Sequence, residues 1–272
     1  MAGTAMRVGV AGASGRMGRM LIRELGATDG TALGAASERA GHADLGKDAG
    51  ELAGIGAAGI KIEADSAVLF TGCDAVLDFT GPEATMAHAA LAAQARVIHV
   101  IGTTGLNADQ EGELKRAAKH TAIVYAPNMS VGVNLLMALV ERVARVLGPD
   151  YDIEIVEMHH RHKVDAPSGT ALGLGRAAAA GRGVALDAVA ARGRDGHTGP
   201  RRRGDIGFAV LRGGDVVGDH SVVFAGPAER LELTHRAAGR ELYARGAVRA
   251  ALWARDKGPG FYTMADVLGL RT

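Results

Sequence analysis

The run MRVGVAGASGRMGRMLIREL, residues 6–25, decides the fold. Its first six residues, Met6–Ala11, are short and apolar, as expected of a strand buried on both faces of a parallel sheet. Gly12, Ala13, Ser14, Gly15, Arg16, Met17 and Gly18 follow as a small-residue loop. From there Met17, Met20, Leu21 and Leu25 recur at helical spacing. A strand, a glycine turn and a helix form the opening of a dinucleotide-binding unit. The glycines let the backbone approach a pyrophosphate, whose charge sits at the helix N-terminus. Val10 stands where the usual GxGxxG pattern has its first glycine, so the loop alone is a weak signal. Placement strengthens it, because an acid, Glu38, closes the next strand-like run at about the 20-residue spacing of that pattern. Glu38 suits the ribose hydroxyls of NAD, and the adjacent Arg39 suits the 2′-phosphate of NADP, so use of both NADH and NADPH is expected.

Downstream, the alternation continues. Residues 31–37, 75–80, 96–101 and 121–125 read as strands, and 82–95 and 107–119 as the helices between them. Repeated βα units imply a parallel sheet with helices on both faces. Gly102, Thr103 and Thr104 end one such strand, and Ala126, Pro127, Asn128 and Met129 the next. These are the carboxyl ends at which such sheets bind ligands, although an ordinary βα turn explains each local sequence equally well.

After Asn128 the texture changes. Residues 131–147 form a long apolar helix, 152–158 a strand, and 206–212, 216–225 and 231–236 further strands. Gly213-Gly214 predicts a two-residue hairpin between the first two of these, since both positions tolerate positive φ. Residues 176–203 read as a mobile loop, and 241–255 as a helix able to pack on either part. The expected architecture is α/β, with an N-terminal Rossmann-like parallel sheet and a second α+β domain on a mixed or antiparallel sheet. The boundaries expected are 1–129 with 240–272 for dinucleotide binding, and 130–239 for substrate binding and oligomerisation.

One stretch concentrates titratable chemistry. In EMHHRHKVDAPSGTA, residues 157–171, His159, His160, His162, Arg161 and Lys163 precede a small-residue turn. Ser168 is a good N-cap for a following helix, and backbone N–H groups at Gly169 and Thr170 suit a carboxylate. With His159, His160 and Lys163 facing that helix end, the combination fits a small dianionic substrate that also needs a proton. A surface basic loop is the plainer reading, but it leaves the anion-ready helix start unexplained. Zinc fits poorly, because neighbouring His on an extended segment point in different directions and no HExxH helix is present, so no metal is expected.

The run from Glu154 to Ala171, EIVEMHHRHKVDAPSGTA, closely resembles the signature of the 4-hydroxy-tetrahydrodipicolinate reductase family, also called dihydrodipicolinate reductase. The resemblance extends over the chain through VAGASGRMGR, DFTGPE, GTTG, APNMSVGVN, GHTG and GFAVLRGGDVVGDHSVVFA, in that order. It implies hydride transfer from NADH or NADPH to a cyclic substrate of lysine and diaminopimelate biosynthesis. It further implies a homotetramer built through the sheet of the second domain, and a first domain completed by the helices after about residue 240. By position, His159 resembles the family's proton donor or acceptor and Lys163 its proton donor. His160, Gly169 and Thr170 match substrate contacts, with Ser168 supporting the turn. Gly12 to Met17, Glu38, Arg39, Gly102 to Thr104 and Ala126 to Met129 match cofactor contacts.

Composition excludes other classes. A formal net charge of +1 gives no nucleic-acid or membrane surface, and Arg201-Arg202-Arg203 reads as a solvated loop. One cysteine, Cys73, rules out an internal disulfide framework. With no signal-peptide pattern and no apolar run of about 18 residues, the expectation is a cytoplasmic protein.

Overall fold

The computed structural model describes residues 4–270. The chain divides into two compact units, one running to Val131 and resuming at Glu241, the other Gly132–Arg240.

In the first unit β1 (Met6–Ala11) is buried at every residue but Arg7. It is followed by α1 (Arg16–Ala27), β2 (Thr31–Ser37), α2 (Ala49–Ala53), β3 (Ile62–Glu63), α3 (Ala67–Thr71), β4 (Ala75–Asp78), α4 (Pro82–Ala95), β5 (Ile98–Ile101), α5 (Ala108–Ala117) and β6 (Ala122–Tyr125). After the second unit come α9 (Glu241–Ala254), β12 (Gly260–Tyr262) and α10 (Met264–Val267). Seven strands form one sheet in the order β12-β6-β5-β4-β1-β2-β3, every pair parallel. Read outward from β1, the β3-β2-β1-β4-β5-β6 part is the doubly wound dinucleotide-binding order. Its switch point lies between β1 and β4.

Gly18, Leu21, Ile22 and Leu25 supply the buried face of α1, whereas Met17 and Met20 are only half-buried on its flank. That face and the alanine-rich face of α9 share one core with β1, β4 and β6. Gly246 lets α9 lie against the segment after β6, since a Cβ there would collide with the Met129 carbonyl. Phe79 and Thr80, which were expected in a strand, lie beyond the end of β4 in its loop.

In the second unit α6 (Val131–Leu147) leads to β7 (Asp152–His159), α7 (Gly169–Gly181), α8 (Leu186–Val189), β8 (Ala190–Ala191), β9 (Ile206–Arg212), β10 (Gly218–Gly226) and β11 (Glu229–Ala237). The five-stranded sheet is mixed, in the order β11-β10-β7-β9-β8, with β9 parallel to β7 and β10 antiparallel to it. The hairpin expected at Gly213-Gly214 does not form. β9 and β10 flank β7 on opposite sides, because the alternating β7 has two open edges to satisfy. The intervening loop crosses the end of β7, with Gly213 N–H donating to the His159 carbonyl and His160 N–H to that of Val216, at 3.0 and 2.7 Å. Nor is 176–203 one loop. Its alanine-rich start completes α7 with Ala178 and Ala179 buried, and a short helix and strand follow.

Among the described residues no helix is long and apolar enough to cross a membrane.

The tightest joint of the first unit is Gly18, where a Cβ would run into the Gly12 carbonyl and the Ala13 backbone. Gly18→Ala is expected to lower stability by roughly 1–3 kcal/mol, as an overpacked core position does. The urea midpoint of the variant against the parent checks this.

Candidate active site

The loop joining β1 to α1 needs glycine in two ways. Gly12 sits at φ +67°, and Gly18 allows α1 to lie against the loop. Ala13 N–H donates to the Ser37 carbonyl at 2.9 Å, tying the loop to the end of β2. Glu38, next after β2, accepts from Ser14 N–H at 3.3 Å and from Arg39 N–H at 2.9 Å. Its carboxylate is thus fixed beside the glycine loop, while the Arg39 side chain is exposed. Gly102, Thr103 and Thr104 follow β5, and Ala126, Pro127, Asn128 and Met129 follow β6. All the expected cofactor residues therefore lie at or just beyond the carboxyl ends of parallel strands in one sheet. Their side chains differ in role. Thr103 turns inward and is buried, and the Met129 side chain belongs to the core.

In the second unit the chemistry begins with strand parity. Along β7, Ile153, Ile155, Glu157 and His159 face the helices and are buried. Alternation thereby puts a carboxylate and an imidazole, two positions apart, inside the protein. Glu157 is 1% exposed and meets four donors. Its Oε2 lies 2.5 Å from His159 Nδ1 and 2.9 Å from one Arg212 nitrogen. Its Oε1 accepts from the other Arg212 nitrogen and from Ser168 N–H, both at 3.0 Å. Burial alone would raise its pKa, but the bonds from Arg212, His159 and Ser168 outweigh it and hold the carboxyl below its ordinary value.

An ionised Glu157 only accepts, so His159 carries its proton on Nδ1 and presents Nε2 as the bare nitrogen. Burial lowers the His159 pKa, Glu157 works against that, and the cations Lys163 and Arg212 add to the lowering. His159 is therefore neutral at rest, with a partner ready to stabilise its protonated form. A Cβ at Gly218 would come within 3.0 Å of Nε2, so a glycine keeps the space beside it.

Ser168 caps α7, its Oγ accepting from Ala171 N–H at 3.1 Å. A Cβ at Gly169 would meet nothing within 4 Å, so the helix start is open there. Lys163 reaches Asp165 at 2.8 Å, and its N–H donates to the His160 carbonyl at 3.1 Å. His160 Nδ1 is buried with no hydrogen-bond partner among the described residues. The structure thus brings His159, Ser168 and the first turn of α7 together around Glu157, with Lys163 and His160 on the connecting loop. No cluster of three metal-ligating side chains occurs among the described residues.

Two family models, the N-terminus and the C-terminus of dihydrodipicolinate reductase, match residues 6–129 and 132–268. The chain belongs to the dihydrodipicolinate reductase family. A 4-hydroxy-tetrahydrodipicolinate reductase of Rhizobium rhizogenes is 59% identical over the whole of both chains. One of Brucella abortus is 58% identical over 97% of this chain and 98% of the relative. Among solved structures, a dipicolinate-bound dihydrodipicolinate reductase from Paenisporosarcina sp. TG-14 shares the fold, with a TM-score of 0.77 at 22% identity over 97% of this chain and 99% of that one. As a reductase with a doubly wound dinucleotide-binding sheet, the chain uses a nicotinamide cofactor. The Gly12 turn, the close-packed Gly18 and the fixed Glu38 carboxylate fit one.

Several residues of the reductase site were invisible to motif reasoning. Glu157 reads as an ordinary strand residue until β7 parity turns it inward, and Arg212 is simply the last residue of β9. His220 faces inward from β10, bonds Ser168 Oγ at 3.2 Å and stacks edge-on against His159 at 5.0 Å between ring centroids. Burial and the neighbouring His159 push its pKa down to about 4. A depressed His pKa means that the unfolded chain takes up the proton first as pH falls. Stability should therefore decline from the ordinary value of 6.5 down to about 4. The His220→Gln variant is expected to flatten that decline in urea midpoints measured across the window. An unchanged slope would assign the proton uptake to other groups.

Proposed function

We propose that the chain reduces 4-hydroxy-tetrahydrodipicolinate to tetrahydrodipicolinate, with release of water, in lysine and diaminopimelate biosynthesis. The observation that carries this reading is the Glu157–His159 pair at 2.5 Å, sharing its carboxylate with the capped start of α7. When bound, the nicotinamide cofactor supplies the hydride that adds to the ring. Gly12, Ala13, Ser14 and Gly15 would hold its pyrophosphate end at α1, and Glu38 would meet the ribose. Arg16, Met17, Gly102 to Thr104 and Ala126 to Met129 complete its surroundings.

The second unit binds the substrate and handles the proton. A ring carboxylate takes the N–H groups of Gly169 and Thr170, favoured by the positive end of α7, with Ser168 holding the turn. Lys163 and His160 add donors to the dianion, and Lys163 also neutralises its charge. Hydride addition leaves an electron pair on the conjugated ring system, and a proton must reach it. His159 Nε2 takes a proton from solvent and passes it to the ring, Glu157 at Nδ1 stabilising the imidazolium in between. Lys163 is the second donor, lowering the cost of charge on the ring.

The test is oxidation of NADH and NADPH by purified protein, with the substrate generated in place from pyruvate and aspartate semialdehyde by the preceding synthase. Rapid, synthase-dependent oxidation is expected with both nucleotides. Their kcat/KM values should differ by less than about a thousandfold, ~4 kcal/mol, because Glu38 and Arg39 are both present. His159→Gln and Lys163→Ala should each lower kcat by at least about a hundredfold, as loss of a positioned acid or base does. Nucleotide affinity should stay near that of the parent. Near-full turnover by both variants would remove the site assignment.

A homotetramer is part of the proposal. The helices of the second unit cover one face of its sheet, while Val156, Met158, Leu211 and Val223 line the other, partly exposed face. Light scattering is expected to give the mass of four chains, and Leu211→Glu, at a position 50% exposed within one chain, to dissociate them. A monomeric parent would overturn it.

A further inference from the structure

One carboxylate of the first unit takes no part in the chemistry above. Asp78 closes β4 and is fully buried. Its Oδ2 lies 2.8 Å from His88 Nδ1 of α4 and 3.1 Å from His99 Nε2 of β5. Its Oδ1 accepts from Thr80 N–H at 3.0 Å and from the Thr80 hydroxyl at 2.6 Å, with the Thr103 hydroxyl at 3.5 Å. Thr103 is bonded in turn to Thr85 of α4 at 2.8 Å.

Burial works to raise the Asp78 pKa, but the bonds from the two imidazoles prevail and hold it well below the usual carboxylate range. His99 Nδ1 is buried without a partner among the described residues. Its other nitrogen, Nε2, donates to the Asp78 carboxylate.

A buried ionic cluster is a poor means of stabilising a core, since apolar side chains of equal volume often do as well or better. What this one does hold is loops. The Thr80 methyl stands beside Gly12, with Cγ2 3.1 Å from where a Gly12 Cβ would stand. Thr103 is the centre of the loop after β5, whose Gly102 N–H donates to the Asp78 carbonyl at 2.9 Å. Gly102 also lies so close to the Phe79 ring that a Cβ would collide with it. Asp78 therefore ties together the loops after β4 and β5, and Thr80 stands beside the loop after β1.

We propose that Asp78 is a positioning residue for the nicotinamide cofactor: through Thr80 and Thr103 it sets the spacing of the glycine loop against the loop after β5, and with it the affinity for the dinucleotide. This rests on the cofactor reading given above. The experiment uses the full-length chain with Thr80→Val, Thr80→Ser and Asp78→Asn. NADPH binding is followed by its fluorescence, and KM and kcat by the coupled assay.

Thr80→Val keeps the side-chain size but loses the hydroxyl. It is expected to raise the Kd and KM for NADPH about tenfold, the effect of one hydrogen bond to a charged group. Saturated kcat and the substrate KM should stay within about twofold of the parent. Thr80→Ser keeps both bonds to Asp78 and loses only the methyl beside Gly12, so it should bind NADPH more tightly than Thr80→Val though less tightly than the parent, while Asp78→Asn should weaken binding further. A purely structural role would lower the Tm of these variants and leave the nucleotide KM of the folded enzyme unmoved; that result overturns the proposal. Should Asp78→Asn fail to fold, Thr80→Val decides alone. A parent that binds neither NADPH nor NADH would instead overturn the cofactor reading, and this inference with it.

Discussion

An ionised carboxylate inside a protein must be given donors, and the second unit is arranged around that demand. Glu157 faces inward because β7 alternates, and once inside it has to be satisfied. Removing a partner from such a buried pair typically costs about 3–5 kcal/mol, since the remaining charge is stranded. The four donors that meet it come from β7, β9 and the start of α7, which are otherwise far apart in the chain. Satisfying Glu157 therefore fixes the tautomer of His159, the position of the helix start and the end of β9 in one step. Arg212 carries the tie further, to the Asp165 carbonyl at 2.6 Å, which anchors the loop that bears Lys163.

The first unit repeats the device with different partners. Asp78, like Glu157, stands near the carboxyl end of a strand, is buried, and binds imidazole through one oxygen and a backbone N–H through the other. In both places a rigid strand supplies the charge, and less regular segments are organised by donating to it. Precision at a loop is hard to obtain from apolar packing, which is not directional. Hydrogen bonds to a fixed carboxylate are directional and short, so the two sheets carry their loops in defined positions.

How much of this was legible in the sequence follows from the range of each signal. The βα alternation and the glycine turn are local, so the parallel sheet could be read from Met6–Ala11, the small-residue loop and the apolar spacing of α1. The N-cap at Ser168 was legible for the same reason. Pairing is not local. Gly213-Gly214 has the composition of a hairpin turn and serves as a crossover, because the choice depended on β7, more than fifty residues earlier in the chain. Glu157, Arg212 and His220 were missed because none belongs to a short motif; only the register of three strands places them together. Asp78 was visible within DFTGPE, but its two histidines lie on separate elements and carry no spacing that marks them. The proton roles of His159 and Lys163 were read by resemblance, whereas the glycine loop, Glu38 and Arg39 were legible from their own placement and spacing.

The interruption of the first unit by the second has a consequence for how the chain comes to be folded. Strands β1 to β6 leave the ribosome first, yet the helix that covers their apolar face, α9, and the edge strand β12 come after Gly132–Arg240. At about 5–20 residues per second, synthesis of the intervening segment takes on the order of ten seconds. During that interval the sheet is sticky on one side and open at the β6 edge, and the Gly246 that will seat against Met129 does not yet exist. The nascent chain is most exposed to chaperones, and to aggregation, while its catalytic half is being made.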